Sequence, residues 1–465
     1  MRRLQHIGAL LLLLLHSQRA YSDLNVQIGD AACPPDSLTS AGKAIAEPLM
    51  VFYKQNQTEG IPGKLTDTWY VAGSMFMTLI QFWQASGVED YNSVVQHDLM
   101  FQAGENYDFF SANYSQWLGN DDQMFWGLAA ITASEAGFPE VSGKPSWTSL
   151  ARAVFNMQVN RWDETACNGG MRWQIWPYQA GYTMKNAISN GGLFELSARL
   201  ARFTKNETYA EWAEKIWDWS ATTPLLNTNT STWNIADSTS NEANCKDAGN
   251  NQWTYNYGTY LVGAAFMYNH TNGSAIWLNR VNNLLDSTFT RFFPAAYLNG
   301  TVLSEVACEP ILSCDRNQLC FKGYVAMWLA FTALLVPSTS DRIVPKLQGS
   351  ASAISKQCSG TADGMSNLCG VRWYQDSWDG SLGLEVQMSA LGGITSNLML
   401  LSSQSPQTIS ENPDASEHHI DTSDDEKDPS ASDPIETGDR AGAWILTAIL
   451  AALMIGAVAW LLKTQ

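Results

Sequence analysis

Between residues 38 and 402 apolar side chains recur at the spacing of one helical face, as in Val71, Met75, Leu79 and Phe82. Twelve such runs begin near Ser40, Trp69, Asp90, Asp121, Ser146, Asn186, Tyr209, Thr254, Ser274, Gln318, Arg342 and Leu382. Gly, Asn, Asp and Pro collect between them, and alternating strand patterns are scarce, so the pattern predicts an all-α domain. No linker interrupts it, and residues 23–402 read as one domain. A dozen helices in one domain suggest hairpins closed into a ring, an α/α toroid, although a layered helical domain gives the same pattern. The connectors 161–185 and 226–253 are long and rich in Trp and Tyr; long ordered loops on a helical scaffold more often serve function than not.

The two ends of the 465-residue chain break this pattern. Residues 1–22 carry Arg2 and Arg3, an apolar run too short to span a bilayer, then small residues around Ala20, as a secretory signal peptide does. Residues 403–440 read as an acidic, disordered stalk. From 411 to 440 there are eleven Asp or Glu against Lys427 and Arg440, which is −9 of the formal −18. Residues 441–465 form a hydrophobic tail, long enough to cross a membrane. It is either a retained span or a GPI signal with attachment near Ser430, and the polar spacer up to Arg440 favours GPI. Either anchor would hold the domain on the outer face of the plasma membrane.

Seven Asn-x-Ser/Thr sequons agree with secretion and mark surface positions: Asn56, Asn113, Asn206, Asn229, Asn269, Asn272 and Asn299. Eight cysteines suit an oxidising compartment and up to four disulfides; Cys314/Cys320 and Cys358/Cys369 are close enough in sequence for local bridges. None has zinc-ligand spacing, and no metal or cofactor is demanded.

Histidine narrows the chemistry. Of six, only His97 and His270 fall in the folded region, and His270, inside a sequon, is expected at the surface. Ser-His, Cys-His and His-metal catalysis therefore have little to work with. No nucleophile elbow, phosphate loop or dinucleotide fingerprint is present, and the acidic balance argues against nucleic acid. Carboxylates and rings remain. Nineteen Trp is a high count, and Trp162, Trp173, Trp176, Tyr178, Tyr182, Trp253, Tyr255, Tyr257, Trp373 and Trp378 lie among polar neighbours. Most must serve packing; a sugar-stacking groove is the sharper reading. Asn120-Asp121-Asp122 opens an apolar helical run. Acidic residues at a helix start are explained by the helix dipole alone, with Asn120 as N-cap. Two close carboxyl groups also suffice for glycoside chemistry, one as nucleophile or base and the other as proton donor.

Several blocks in order carry a resemblance: Asn120 to Gly127, Gly169 to Gln174, Lys185 to Gly191, Trp253 to Thr259, Ala307-Cys308-Glu309, Phe321 to Tyr324 and Gln387 to Leu391. On these the chain resembles glycoside hydrolase family 76 from about Leu38 to Leu401, in particular GPI-anchored fungal members of the cell-wall biogenesis type, mannan endo-1,6-α-mannosidases. The resemblance implies an (α/α)6 barrel and a retaining mechanism with Asp121 as nucleophile and Asp122 as general acid/base. Trp173, Tyr182, Asn186 and Asn190, in or beside the matched blocks, are the expected substrate contacts; for Asn190 a cap or turn before Gly191-Gly192 is an equal alternative. The expected reaction is hydrolysis within α-1,6-mannan. The alternatives are transfer of a GPI-anchored protein from its GPI-anchor glycan to a β-glucan acceptor, and non-catalytic binding of wall glycan.

Overall fold

The computed structural model describes residues 35–110, 115–412 and 447. The expected leader, Cys33, the Asn113 sequon, the stalk beyond residue 412 with Ser430, and the apolar tail apart from Thr447 lie outside the described residues.

Twelve α-helices form the domain among the described residues: α1 (Pro35–Asn56), α2 (Trp69–Ser86), α3 (Asn92–Gln102), α4 (Asn120–Ala136), α5 (Trp147–Asn160), α6 (Ala187–Thr204), α7 (Glu207–Ala221), α8 (Thr254–His270), α9 (Ala275–Phe292), α10 (Gln318–Leu335), α11 (Ser340–Gln357) and α12 (Leu384–Ser402). The even-numbered helices pack each on the next, α2 on α4 through to α12, and α12 returns to α2. The odd-numbered helices lie outside this closed ring. The result is the expected (α/α)6 barrel.

Burial follows from the two rings. Inner α4 buries 15 of its 17 residues, whereas outer α9 buries 7 of 18, along one face. An inner helix must therefore be apolar or internally satisfied all round, and an outer one only on a stripe. Trp126 of α4 shows the packing: it stacks on Trp69 at 4.9 Å and Phe109 at 5.4 Å and meets the edge of Phe76 at 5.9 Å.

Connectors at the two ends of the barrel differ. At one end inner helices hand over to outer ones through short links such as 205–206 and 271–274. At the other, the links are long: 57–68, 103–119, 161–186, 222–253, 293–317 and 358–383. Two of these are joined. Strand β1 (Met184–Asn186) pairs antiparallel with β2 (Ser238–Ser240), and Cys167–Cys245 crosslinks the same connectors. A second ribbon, β3 (Gly360–Ala362) with β4 (Met365–Leu368), sits beside Cys358–Cys369, the local bridge expected from sequence.

Four expectations are corrected. Cys314 pairs with Cys308, not with Cys320: the 308–314 loop brings those two Cα atoms to 4.8 Å, while Cys320 is buried in the first turn of α10 as a free thiol. His270 is not exposed; its side chain is 7% accessible at the end of α8, with Nε2 3.4 Å from Glu207. Among the sequons, Asn206, Asn229, Asn272 and Asn299 are exposed, but Asn56 and Asn269 are half-buried. Residues 403–412, read from composition as the start of the stalk, lie on the barrel. The Gln407 and Ile409 amides donate to the Glu135 and Phe203 carbonyls, and Arg202 donates to the Pro406 and Gln407 carbonyls.

Candidate active site

The long connectors surround a cleft of about 740 Å³. Five inner helices reach it with their N-terminal ends: Trp69 and Tyr70 of α2, Asp121, Asp122 and Phe125 of α4, Asn186 before α6, Trp253 and Tyr255 at α8, and Asn317, Gln318 and Phe321 at α10. The positive ends of the helix dipoles thus face the cleft, which favours negative charge there.

Asp121 and Asp122 form part of its floor. The N-cap is Gly119 rather than Asn120, because Asn120 is already helical and its side chain turns away to the neighbouring loop. Asn120 Nδ2 donates to the Arg172 carbonyl at 2.9 Å, and Arg161 Nη1 donates to Asn120 Oδ1 at 2.8 Å. The Asn120 amide donates to the Trp173 carbonyl, also at 2.9 Å. These bonds fix the first turn of α4 against the connector carrying Trp173. Asp122 Oδ2 accepts from the Gly119 amide at 2.7 Å, and Asp121 Oδ2 accepts from Asn186 Nδ2 at 3.3 Å. A Cβ on Gly119 would lie 2.4 Å from Asp121 Oδ1, so a larger residue there would displace that carboxylate.

Burial pushes both carboxyls up. Asp121 is raised well above the usual range by burial and then by the charge of Asp122, against the opposing bonds from Asn186 and the backbone. Burial raises Asp122 to about 6, opposed by the Gly119 amide. The pair therefore titrates as a unit, with one proton held between two carboxyls near neutrality. That proton is favoured on Asp121, the residue to which the resemblance gives the ionised role. In so close a pair, a donor or acceptor on a bound substrate can reverse the site of protonation.

Of the expected contacts, Trp173 and Asn186 line the cleft with the Asp pair, and Asn186 also caps α6 by accepting from the Ser189 amide. Tyr182 and Asn190 do not line it. The Tyr182 ring lies under the Arg172 guanidinium at 4.3 Å. Asn190, fully buried one turn into α6, accepts from the Met171 amide at 2.8 Å and donates to the Met171 and Asn186 carbonyls. It holds the Gly169-Gly170-Met171 turn in place, so a positioning role replaces the expected contact. Of the other aromatics singled out, Trp253 and Tyr255 line the cleft, while Trp162, Tyr257 and Trp373 are buried in packing.

Composition did not single out Tyr70, Trp117, Phe321 or two further carboxylates of the lining, Asp67 and Asp237. Asp237 lines the cleft just before β2, accepts from Asn256 Nδ2 at 3.0 Å and is raised by burial. The only cue was its position in a long connector. Among the described residues no three His, Cys, Asp or Glu side chains are grouped as a metal ion requires. Chemically, the site offers two adjacent carboxyl groups, one able to hold a proton while the other is ionised, in an aromatic-walled groove.

Known proteins share this arrangement of helices. The model of a family described as Glycosyl hydrolase family 76 matches residues 37–410. Mannan endo-1,6-alpha-mannosidase DCW1 of Saccharomyces cerevisiae is 38% identical over 433 residues, 92% of this chain and 93% of that protein. Among solved structures, Dfg5 from Chaetomium thermophilum, in complex with glucosamine, superposes with a TM-score of 0.76 at 37% identity, covering 85% of this chain and 98% of that one. The GH76A alpha-1,6-mannanase of a Salegentibacter species gives 0.62 at 19% identity over 78% and 99%, a likeness of fold.

Proposed function

The chain belongs to glycosyl hydrolase family 76, and from that premise we propose that it cleaves α-1,6-mannosidic bonds within a mannan chain, with retention at the anomeric carbon. The observation that carries the reading is the half-buried, hydrogen-bonded Asp121-Asp122 pair lining an aromatic cleft. Asp121 attacks the anomeric carbon while Asp122 gives its proton to the departing glycosidic oxygen, so one C–O bond forms as another breaks. Asp122, now ionised, takes a proton from water, and the resulting attack releases mannose-ended product and regenerates Asp121. Asn186 and Asp237 are suited to sugar hydroxyls, and Trp173, Trp253 and Tyr255 to the apolar faces of sugar rings.

The glucosamine bound to the fungal neighbour favours a second reading. Glucosamine is a sugar of the GPI glycan, and a donor of that kind would make the enzyme a transglycosidase that passes an anchored protein to a β-glucan hydroxyl in place of water. On either reading, residues 1–22 act as a secretory leader and the C-terminal region as a GPI anchor near Ser430. The enzyme then works at the outer face of the plasma membrane and in the wall.

The purified protein given linear α-1,6-mannan, and separately a GPI-glycan donor with and without a β-1,6-glucan acceptor, tests both readings. Shortened mannan supports the first; product formed from the GPI donor only with acceptor supports the second; no product from either donor sinks both.

The pKa shifts set the pH profile. Activity needs one carboxyl ionised and its neighbour protonated. With the pair raised, kcat/KM is expected to fall as pH drops through about 6, where the second proton is taken up. The alkaline limb lies above that. A profile still at its plateau at pH 4 would contradict the raised carboxyl of Asp122.

A further inference from the structure

One wall of the cleft is built from Trp253, Tyr255 and Phe321. Tyr255 and Phe321 stack at 3.7 Å with planes 7° apart, and Trp253 meets Phe321 edge-on at 6.2 Å. The rings come from two helices, α8 and α10, and stacked rings do not themselves fix the register of their helices. A buried ionic cluster directly behind them does. Glu305 grips Thr254, the residue between Trp253 and Tyr255: the Thr254 amide donates to both carboxylate oxygens at 3.2 Å, and the hydroxyl donates to Oε2 at 2.6 Å. Lys322, next to Phe321, reaches Glu309 Oε1 at 2.7 Å and donates to the Val371 carbonyl at 2.5 Å. The two grips are joined, because Glu309 Oε1 also accepts from the Glu305 amide at 2.8 Å and Glu309 Oε2 from Ser304 Oγ at 3.0 Å. Cys308–Cys314 closes the loop that carries Glu309.

Glu305, Glu309 and Lys322 are each 1% exposed. Burying three ionisable groups is costly where an apolar plug would pack as well, and fixed geometry is one return for that cost. The rigidity falls on the backbone bearing the rings. We infer that Glu305, Glu309 and Lys322 are positioning residues that hold the Trp253–Tyr255–Phe321 wall as a binding surface for a hexopyranose ring of the substrate chain. This rests on the reading of the cleft as a glycan site. Burial raises Glu305 to about 8, with the charge of Glu309 adding to it.

The test compares Glu305→Ala, Glu305→Gln and Lys322→Met with the parent on α-1,6-mannan. Displaced rings are expected to raise KM by about tenfold in the Ala and Met variants while kcat stays within about threefold. Gln, which keeps an acceptor for Thr254, should recover most of the loss. A lowered melting temperature with KM unchanged would overturn the inference, as would loss of kcat at constant KM. Should these variants fail to fold, Thr254→Ala removes only the hydroxyl bond and is expected to raise KM by about threefold; an unchanged KM there also overturns it. Near-UV circular dichroism separates this inference from the assigned reaction. If the parent cleaves no mannan, Glu305→Ala must still lose signal from the stacked rings, and an unaltered spectrum refutes the positioning role.

Discussion

Asparagine in place of Asp121 or Asp122 is expected to lower mannan turnover by at least ~10³-fold, since each substitution removes a group that acts on the reacting bond. The fold should survive. Asn120 is the main tie between α4 and its neighbours; Asp121 takes one bond from outside its turn, from Asn186, and Asp122 accepts from the Gly119 N-cap amide of its own turn. Stability should even rise at neutral pH. A carboxyl raised in the folded state contributes most below its unfolded pKa, and that contribution is lost as pH climbs through the folded value, so at pH 7 the pair burdens the fold. The two roles separate on an aryl mannoside with a good leaving group. Without Asp122 the first step needs little proton donation and should persist, as a burst of phenol; without Asp121 no burst should appear. A burst from Asp121→Asn would reverse the assignment, and normal mannan turnover by either variant would remove that residue from the chemistry.

Arg199→Ala is expected to destabilise the barrel by about 3–5 kcal/mol, through a group that touches nothing in the cleft. Arg199 is fully buried on α6 between Glu135 of α4, at 2.6 Å, and Glu195, at 3.1 Å, and it also donates to the Thr132 hydroxyl. Removing it leaves two carboxyls in the core without a hydrogen-bonded cation, with only the more distant charge of Arg202 near Glu135. Even with Arg199 present, burial raises Glu195 to about 7 and Glu135 above its ordinary value. Both carboxyls are then neutral at low pH and must ionise, unpaired, as pH rises. The deficit in melting temperature should therefore be larger at pH 8 than at pH 5. Equal deficits at both values, or none, would show that the cluster is not held by charge.

The ring of helices was legible because inner and outer helices both carry long apolar periodicities, and all twelve predicted runs are helices. Their starts differ by a few residues; α1, expected from near Ser40, is already helical at Pro35. The Asp pair was legible because helix caps and paired acids share a position that the apolar run marks. Tyr182 and Asn190 show the limit. Both belong to stretches of suitable chemistry, yet one ring faces Arg172 and the other amide satisfies the Met171 backbone. Chain neighbourhood could not say which way either side chain points. Asp237 was invisible for the converse reason: it reaches the cleft only because a ribbon and a disulfide between distant connectors bring it there. Cys314 misled through spacing alone, since a helical Cys320 turned inward is out of reach at six residues' separation.

The segment 404–412 has a mechanical consequence. It is bonded to the carbonyls of Ser134, Glu135 and Phe203, near the C-terminal ends of α4 and α6. Asp121 lies at the opposite end of α4, about 20 Å away along a helix of this length. Tension applied through the C-terminal region is therefore delivered to the base of the barrel, in shear across several hydrogen bonds, and the cleft end stays outside the load path. On the proposed anchoring, a pull on the C-terminal region strains its footing on the barrel without distorting the Asp121-Asp122 pair.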